Sequence, residues 1–293
     1  MASKTPTRPD ELARVIPLTD GRELRLTRPL VMGVLNVTPD SFSDGGHFVD
    51  GEAAVDHALR LAREGADIID IGGESSRPGA EPVSGSEEKR RVVPVIEMLR
   101  RRTDAAISVD TYKAETARSA IDVGADIIND ISALRFDAGM VELVATRRVP
   151  TILMHMQGTP RSMQDSPYYD DCVEEIARFF QDRIEFCTQQ GIERTRLILD
   201  PGIGFGKRLS DNIDILRGLR RFKQFSLPVL VGPSRKSFIG MLHPVGTAAD
   251  RRLGGSIAAA VTAVLNGADI VRVHDVAETV EALKVIEAVR RMA

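Results

Sequence analysis

The sequence predicts an α/β fold, a (β/α)8 TIM barrel with an N-terminal hairpin. Short Val/Ile/Leu-rich runs alternate with longer segments of helical period along the chain, the pattern of repeated βα units around a parallel sheet. One phrase recurs at three helix ends, Gly65-Ala-Asp-Ile-Ile, Gly124-Ala-Asp-Ile-Ile and Gly267-Ala-Asp-Ile-Val, which marks equivalent modules rather than two unlike domains. The length of 293 residues suits two average domains or one barrel of about 250 residues with extensions, and alone does not choose. An open doubly wound sheet alternates in the same way and stands as the alternative.

Taken in order, residues 1–14 read as a flexible N-terminus and 15–293 as one barrel domain. Residues 15–29 read as two short strands around Asp20-Gly21, a strong hairpin signal, placed to plug the lower end of the barrel. Strands are expected at 30–35, 68–71, 106–109, 127–128, 150–154, 197–199, 228–231 and 270–273, with helices between. Each recurring Gly stands at C′ and closes its helix. The charge runs 87–91 and 100–102 are expected on solvated helix faces and ends.

Composition narrows the function. Hydrophobic residues at 43% and charged residues at 28% describe an ordinary globular protein, with a mainly aliphatic core because Trp is absent and aromatics are 4%. A net charge of -3 offers no basic stripe for nucleic acid or an anionic membrane, so the expected partner is a small molecule. Cys172 and Cys187 fall in one expected helix, 15 positions and roughly 22 Å apart, too far to pair. Without a Cys/His cluster there is no zinc signature, and free thiols suit a cytoplasmic protein. The first residues lack the apolar core of a signal peptide, and the longest small-apolar run, 257–265, is too short to span a bilayer.

The candidate site follows from where the strands end. They deliver Asn36, Asp70, Asp110, Asn129, His155, Asp200, the loop 234–237, Arg272 and His274 at one register, and a barrel's C-terminal face is where such residues meet. Any one of them alone reads as a cap or turn former. The richest segment is 33–46, Gly-Val-Leu-Asn-Val-Thr-Pro-Asp-Ser-Phe-Ser-Asp-Gly-Gly, followed by Gly-Gly-Glu-Ser-Ser-Arg-Pro-Gly-Ala at 72–80. Ser-Val-Asp-Thr-Tyr-Lys at 108–113, Asp-Pro-Gly-Ile-Gly-Phe-Gly-Lys at 200–207, Gly-Pro-Ser-Arg-Lys-Ser-Phe at 232–238 and Val-Arg-Val-His-Asp-Val at 271–276 come after them in order.

These ordered motifs resemble the dihydropteroate synthase family across about residues 29–290. The resemblance implies condensation of 6-hydroxymethyl-7,8-dihydropterin pyrophosphate with 4-aminobenzoate to 7,8-dihydropteroate and pyrophosphate, with Mg2+ assisting. It assigns Asp200 to the guanidine-like edge of the pterin, whose adjacent N–H donors a carboxylate accepts in a fork. Asp110 and Asn129 take the remaining ring nitrogens, Lys236 donates to a ring acceptor, and Met154 and Phe205 sandwich the ring faces. Arg272, His274 and Asn36 receive the pyrophosphate, Asn36 also giving a neutral oxygen to the cation. Asn36, Asp110, Lys236, Arg272 and His274 are thereby the candidate catalytic residues. Phe42, Ser76, Arg77, Pro78 and Ser234 are candidates for 4-aminobenzoate, Ser76 also touching the pterin pyrophosphate. Ser76 stands where Thr is usual, so a hydroxyl is kept and a methyl lost. A homodimer is implied by the family and suits the Ala/Leu/Val-rich late helices at 248–265 and 277–291.

Other readings weigh less. The segment 200–208 fails as a P-loop, because Pro201 takes the place of the first glycine and Arg208 that of the Mg2+-binding hydroxyl. A Schiff-base role for Lys236 would need an adjacent cation to lower its pKa, and Arg235 need not point the same way. His155 reads as a packed histidine, and His47 and His57 as loop and helix-surface residues. Another pterin-binding barrel, such as a methyltetrahydrofolate methyltransferase, and a non-catalytic paralogue that binds pterins remain as alternatives.

Overall fold

Strand periodicity organises the molecule. The computed structural model describes residues 15–38, 47–75, 81–243 and 246–291. A hairpin, β1 (Val15–Pro17) and β2 (Glu23–Arg25), pairs antiparallel ahead of β3 (Leu30–Asn36), β4 (Ile68–Gly72), β5 (Ala106–Asp110), β6 (Ile127–Asp130), β7 (Thr151–Met154), β8 (Leu197–Asp200), β9 (Leu230–Val231) and β10 (Ile270–Val273). The last eight are parallel in the order β8-β7-β6-β5-β4-β3-β10-β9. A parallel bridge between Leu199 and Val229 brings the two edges together, so the ring closes and the open-sheet alternative falls.

Helices fill the crossovers. α1 (His47–Glu64), α2 (Gly85–Arg100), α3 (Ala114–Asp122), α4 (Ala138–Arg147), α5 (Cys172–Gln189) and α6 (Leu209–Gly218) follow β3 to β8 in turn. α7 (Ser237–Met241) and α8 (Leu253–Leu265) follow β9, and α9 (Val276–Arg291) follows β10. Two strands begin later than expected, β7 after Pro150 and β9 after Pro228. Proline has no N–H to donate to a ladder, and each contributes only its carbonyl, to Ile128 N and Leu199 N respectively.

Alternate residues of each strand face opposite ways and separate two cores. Outward residues such as Val31, Ile69, Ile107, Leu153, Leu199 and Val271 pack against the helices. Inward residues Met32, Ile68, Ala106, Ile127, Ile152, Ile198, Leu230 and Ile270 form a separate cluster that Ile16 and Leu18 of the hairpin region join. Ile16 is fully buried, so the hairpin does plug the lower end.

The recurring Gly-Ala-Asp phrase has a structural reason beyond stopping helices. Gly65, Gly124 and Gly267 turn with φ of 107°, 111° and 111°, a region that favours glycine. The Asp two residues on then accepts a backbone N–H from the neighbouring strand: Asp67 from Val31, Asp126 from Ile107, and Asp269 from Val229. Three carboxylates thus lace the bottom of the barrel.

The expectation of solvated charge at 87–91 and 100–102 holds for Arg90, Arg101 and Arg102, which are exposed, and requires correction at Glu88 and Arg100. Glu88 is 1% exposed, and its Oε2 accepts from Thr111 Oγ1, Thr116 Oγ1 and Lys113 Nζ, three donors that compensate its burial. Arg100 lies half-buried and donates to Ala105 O and Asp126. Cys172 and Cys187 are both free and buried in α5. Among the described residues no helix is long and apolar enough to cross a membrane.

Candidate active site

One register above the apolar floor, four of the inward positions turn polar or charged. The two-residue step carries Ile68 to Asp70, Ile127 to Asn129, Ile198 to Asp200 and Ile270 to Arg272. Arg272 spans the top of the ring, with Nε donating to Asp70 Oδ2 at 2.6 Å and Nη2 to Asp110 Oδ2 at 2.8 Å. Asn129 Nδ2 donates to the same Asp70 oxygen at 3.0 Å. Asp70 is fully buried and its Oδ1 has no partner among the described residues, so two strand-end residues expected to meet a ligand are oriented by a carboxylate that receives no ligand role from the sequence. Its register, two positions after Ile68, is the signal that could have singled it out.

Burial sets the protonation states. Asp110 is pushed up to about 7, first by burial, against the pull of Arg272 and with a further push from Asp70. Asp200 rises to about 6 through burial, opposed by the Gly202 N–H that its Oδ1 accepts at 2.7 Å and by Lys236 and Lys207. Lys236 falls to about 8 through burial and the nearby Arg272, and its Nζ lies 3.9 Å from the Phe205 ring centroid. Phe205 and Met154 share one apolar cluster with Ile131, Met156 and Met163. Asp200 and Lys236 therefore offer an acceptor and a donor beside an apolar wall, which suits a flat polar heterocycle.

On the other side, Ser234 and His274 interlock. The backbone N–H of His274 donates to Ser234 Oγ at 3.2 Å, and that hydroxyl stands 3.1 Å from His274 Nδ1, so the serine orients the imidazole. Burial and then Arg272 lower His274 to about 3, so it is a neutral donor at working pH. Ser234 thus sits with His274 rather than alone. His274 and Asn36 line a cavity of about 620 Å³ with Arg235 and, from α1, His57 and Arg60. Arg235 turns to Asp275, its Nε 3.1 Å from Oδ2, and away from Lys236, so it is not the neighbour that lowers the lysine. His155 is packed and buried, as expected. Phe42, Ser76, Arg77 and Pro78 lie outside the described residues.

Among the described residues no group of three or more His, Cys, Asp or Glu is placed to hold a metal. Asn36 offers one half-buried neutral oxygen at the mouth, a donor set that fits Mg2+ arriving with a polyphosphate rather than a resident ion in a protein cage.

A family model described as pterin binding enzyme matches residues 32–274. The dihydropteroate synthase of Escherichia coli strain K12 is 53% identical over 268 residues, covering 92% of this chain and 94% of that one. The chain belongs to the dihydropteroate synthase family. Another family member, from Haemophilus influenzae, is 48% identical over 267 residues, covering 90% and 95%. A Xanthomonas albilineans dihydropteroate synthase solved with 4-aminobenzoic acid superposes with a TM-score of 0.88 at 50% identity, covering 95% and 98% of the two chains. The enzyme of the same organism in complex with 7,8-dihydropteroate gives 0.85 at 48% identity, covering 94% and 98%.

Proposed function

We propose that this member of the dihydropteroate synthase family joins 6-hydroxymethyl-7,8-dihydropterin pyrophosphate to 4-aminobenzoate, giving 7,8-dihydropteroate and pyrophosphate. The observation that carries the reading is the pairing of Asp200 and Lys236 beside the Met154–Phe205 wall, facing Arg272 across the ring. Asp200 accepts from the guanidine-like edge of the pterin, Asp110 and Asn129 bind the remaining ring nitrogens, and Lys236 donates to a ring acceptor.

The pyrophosphate belongs on the anion side. Arg272 keeps its Nη1 without a partner among the described residues, while Asp70 and Asp110 hold the rest of the guanidinium. His274 contributes as a neutral imidazole oriented by Ser234. When bound, Mg2+ would take the side-chain oxygen of Asn36 and neutralise charge on the leaving group. The carbon–oxygen bond breaks to release pyrophosphate, the electron-rich dihydropterin stabilising positive charge at its methylene. The neutral aniline nitrogen then forms the carbon–nitrogen bond and loses a proton to water. No strong general base is required, because an arylamine is already neutral at pH 7. Phe42, Ser76, Arg77, Pro78 and Ser234 bind 4-aminobenzoate, with Ser76 reaching the pterin pyrophosphate as well.

Residues 15–293 act as one barrel domain in this reading, in a cytoplasmic protein. Exposed Leu253, Leu265, Val285 and Val289 on α8 and α9 support a homodimer through those helices. Pyrophosphate release with both substrates and Mg2+ tests the activity. Turnover that needs all three is expected, and folded protein that binds pterin without turnover would instead support a non-catalytic paralogue.

A further inference from the structure

Lys207 is the buried cation that the chemistry above leaves unused. It is 4% exposed, in the loop between β8 and α6, with no carboxylate at ion-pair distance among the described residues. Its Nζ instead meets Phe205 O at 2.9 Å, His155 Nδ1 at 3.1 Å and His155 O at 3.4 Å. Three acceptors match the three N–H bonds of an ammonium, and a buried charge needs such compensation.

These contacts join the loops after β7 and β8, which pack backbone to backbone. A Cβ on Gly202 would lie 2.0 Å from His155 O, and one on Gly206 would lie 2.6 Å from Gln157 O. The first of these loops begins beside Met154 and the second carries Asp200 at its root and Phe205 at its turn. Asp200 uses Oδ1 for Gly202 N, and among the described residues Oδ2 has no protein partner.

We propose that Lys207 is a positioning residue for pterin recognition: its ammonium clamps the two loops and balances the charge of Asp200 without occupying the oxygens that the ligand must reach. The inference rests on the pterin reading of the site. Asp200 also faces Lys236 and Arg272, while Lys207 faces Asp211 of α6, Lys236, Cys172 of α5 and His155. Burial pushes Asp200 up to about 6 and draws Lys207 down to about 7, so the lysine still carries its charge at the pH where the carboxyl is half ionised. Removing that charge would make Asp200 harder to ionise.

The test is calorimetric affinity for 6-hydroxymethyl-7,8-dihydropterin pyrophosphate across pH 5 to 8.5, in the wild type, Lys207→Met and Lys207→Arg. Wild-type affinity should fall below a pH of about 7 as Asp110 takes up a proton and fall again below about 6 as Asp200 does, the second step being the acid limb that reports on Lys207. In Lys207→Met this acid limb should move upward by about half a pH unit or more, and in Lys207→Arg it should stay in place. A uniform loss at every pH, with the limb unmoved in the Met variant, would mean that Lys207 only supports the fold and would overturn the proposal. Should the Met variant not fold, NMR of 13Cε-labelled lysine in the wild type decides. A charged Lys207 at pH 6 whose resonance responds to Asp200→Asn is required, and a neutral one overturns the proposal. Failure of the wild type to bind the pterin would sink the site reading itself, a result distinct from binding with an unmoved limb.

Discussion

Arg272 crosses the barrel to meet Asp70, 202 positions away in the chain, through an Nε–Oδ2 hydrogen bond of 2.6 Å. The pair fixes a guanidinium at the top of the ring, and Asp70 steadies Asn129 through the same oxygen. Removing one member of a buried ion pair costs about 3–5 kcal/mol, and here Asp110 retains part of the compensation. Asp70→Asn is therefore expected to lose about 3 kcal/mol in urea unfolding. Its KM for pterin pyrophosphate should rise about tenfold, the effect of about 1.4 kcal/mol of lost binding. Unchanged KM would mean that Asp70 is a structural residue only.

Gly202 permits the close contact between the loops after β7 and β8. Its φ is +68°, and an added Cβ would overlap His155 O. Gly202→Ala should displace Asp200 and abolish pterin binding, with stability lowered by about 2 kcal/mol or more from conformational strain and steric overlap. Thermal unfolding and calorimetry on the same preparation check both effects.

Much of this was legible in the sequence, and what was not has a common cause. Eight strand runs and the hairpin showed themselves through local periodicity and turn chemistry. The polar ring followed from reading each strand to its end. Asp70 received no role because its partners lie 59 and 202 positions away. Glu88 looked solvated within a charged helix segment, since the donors that pay for its burial come from Thr111, Lys113 and Thr116. Lys207 stood in the sequence only as the end of the 200–207 motif, and the carbonyls that gather around it are set by a loop contact that no local pattern announces. The carboxylates of the Gly-Ala-Asp phrases likewise act on neighbouring strands.

Protonation should shape binding and stability in opposite directions. Asp200 and Asp110, at about 6 and about 7, must ionise to accept from the pterin, so affinity should rise as pH increases through that window. Above about 8, loss of the Lys236 proton should weaken it again. For the free protein the sign reverses. A carboxyl whose folded pKa is raised holds more protons folded than unfolded, so its contribution to stability declines between about 4 and its folded pKa. Asp200→Asn should consequently stabilise the free protein at pH 7.5 by about 2 kcal/mol while destroying pterin binding. Unfolding curves at pH 5 and 7.5 measure the difference, which should shrink at the lower pH.

The hairpin is expected to matter for folding alone. Ile16 is fully buried in the cluster at the lower end of the barrel, opposite the site. Ile16→Ala should cost about 2–5 kcal/mol in denaturant unfolding and leave both KM values within about twofold. A changed KM would show that the lower plug influences the upper face.

The division of the strand-end ring into a pterin side and an anion side is tested most directly by two ligands on two variants. Calorimetry would compare the pterin pyrophosphate with the same pterin bearing a free hydroxymethyl group, on Asp200→Asn and Arg272→Met. Asp200→Asn should bind neither ligand, while Arg272→Met should keep the bare pterin and lose the preference for its pyrophosphate. Equal losses for both ligands in Arg272→Met, or unaltered binding of both in Asp200→Asn, would contradict that division.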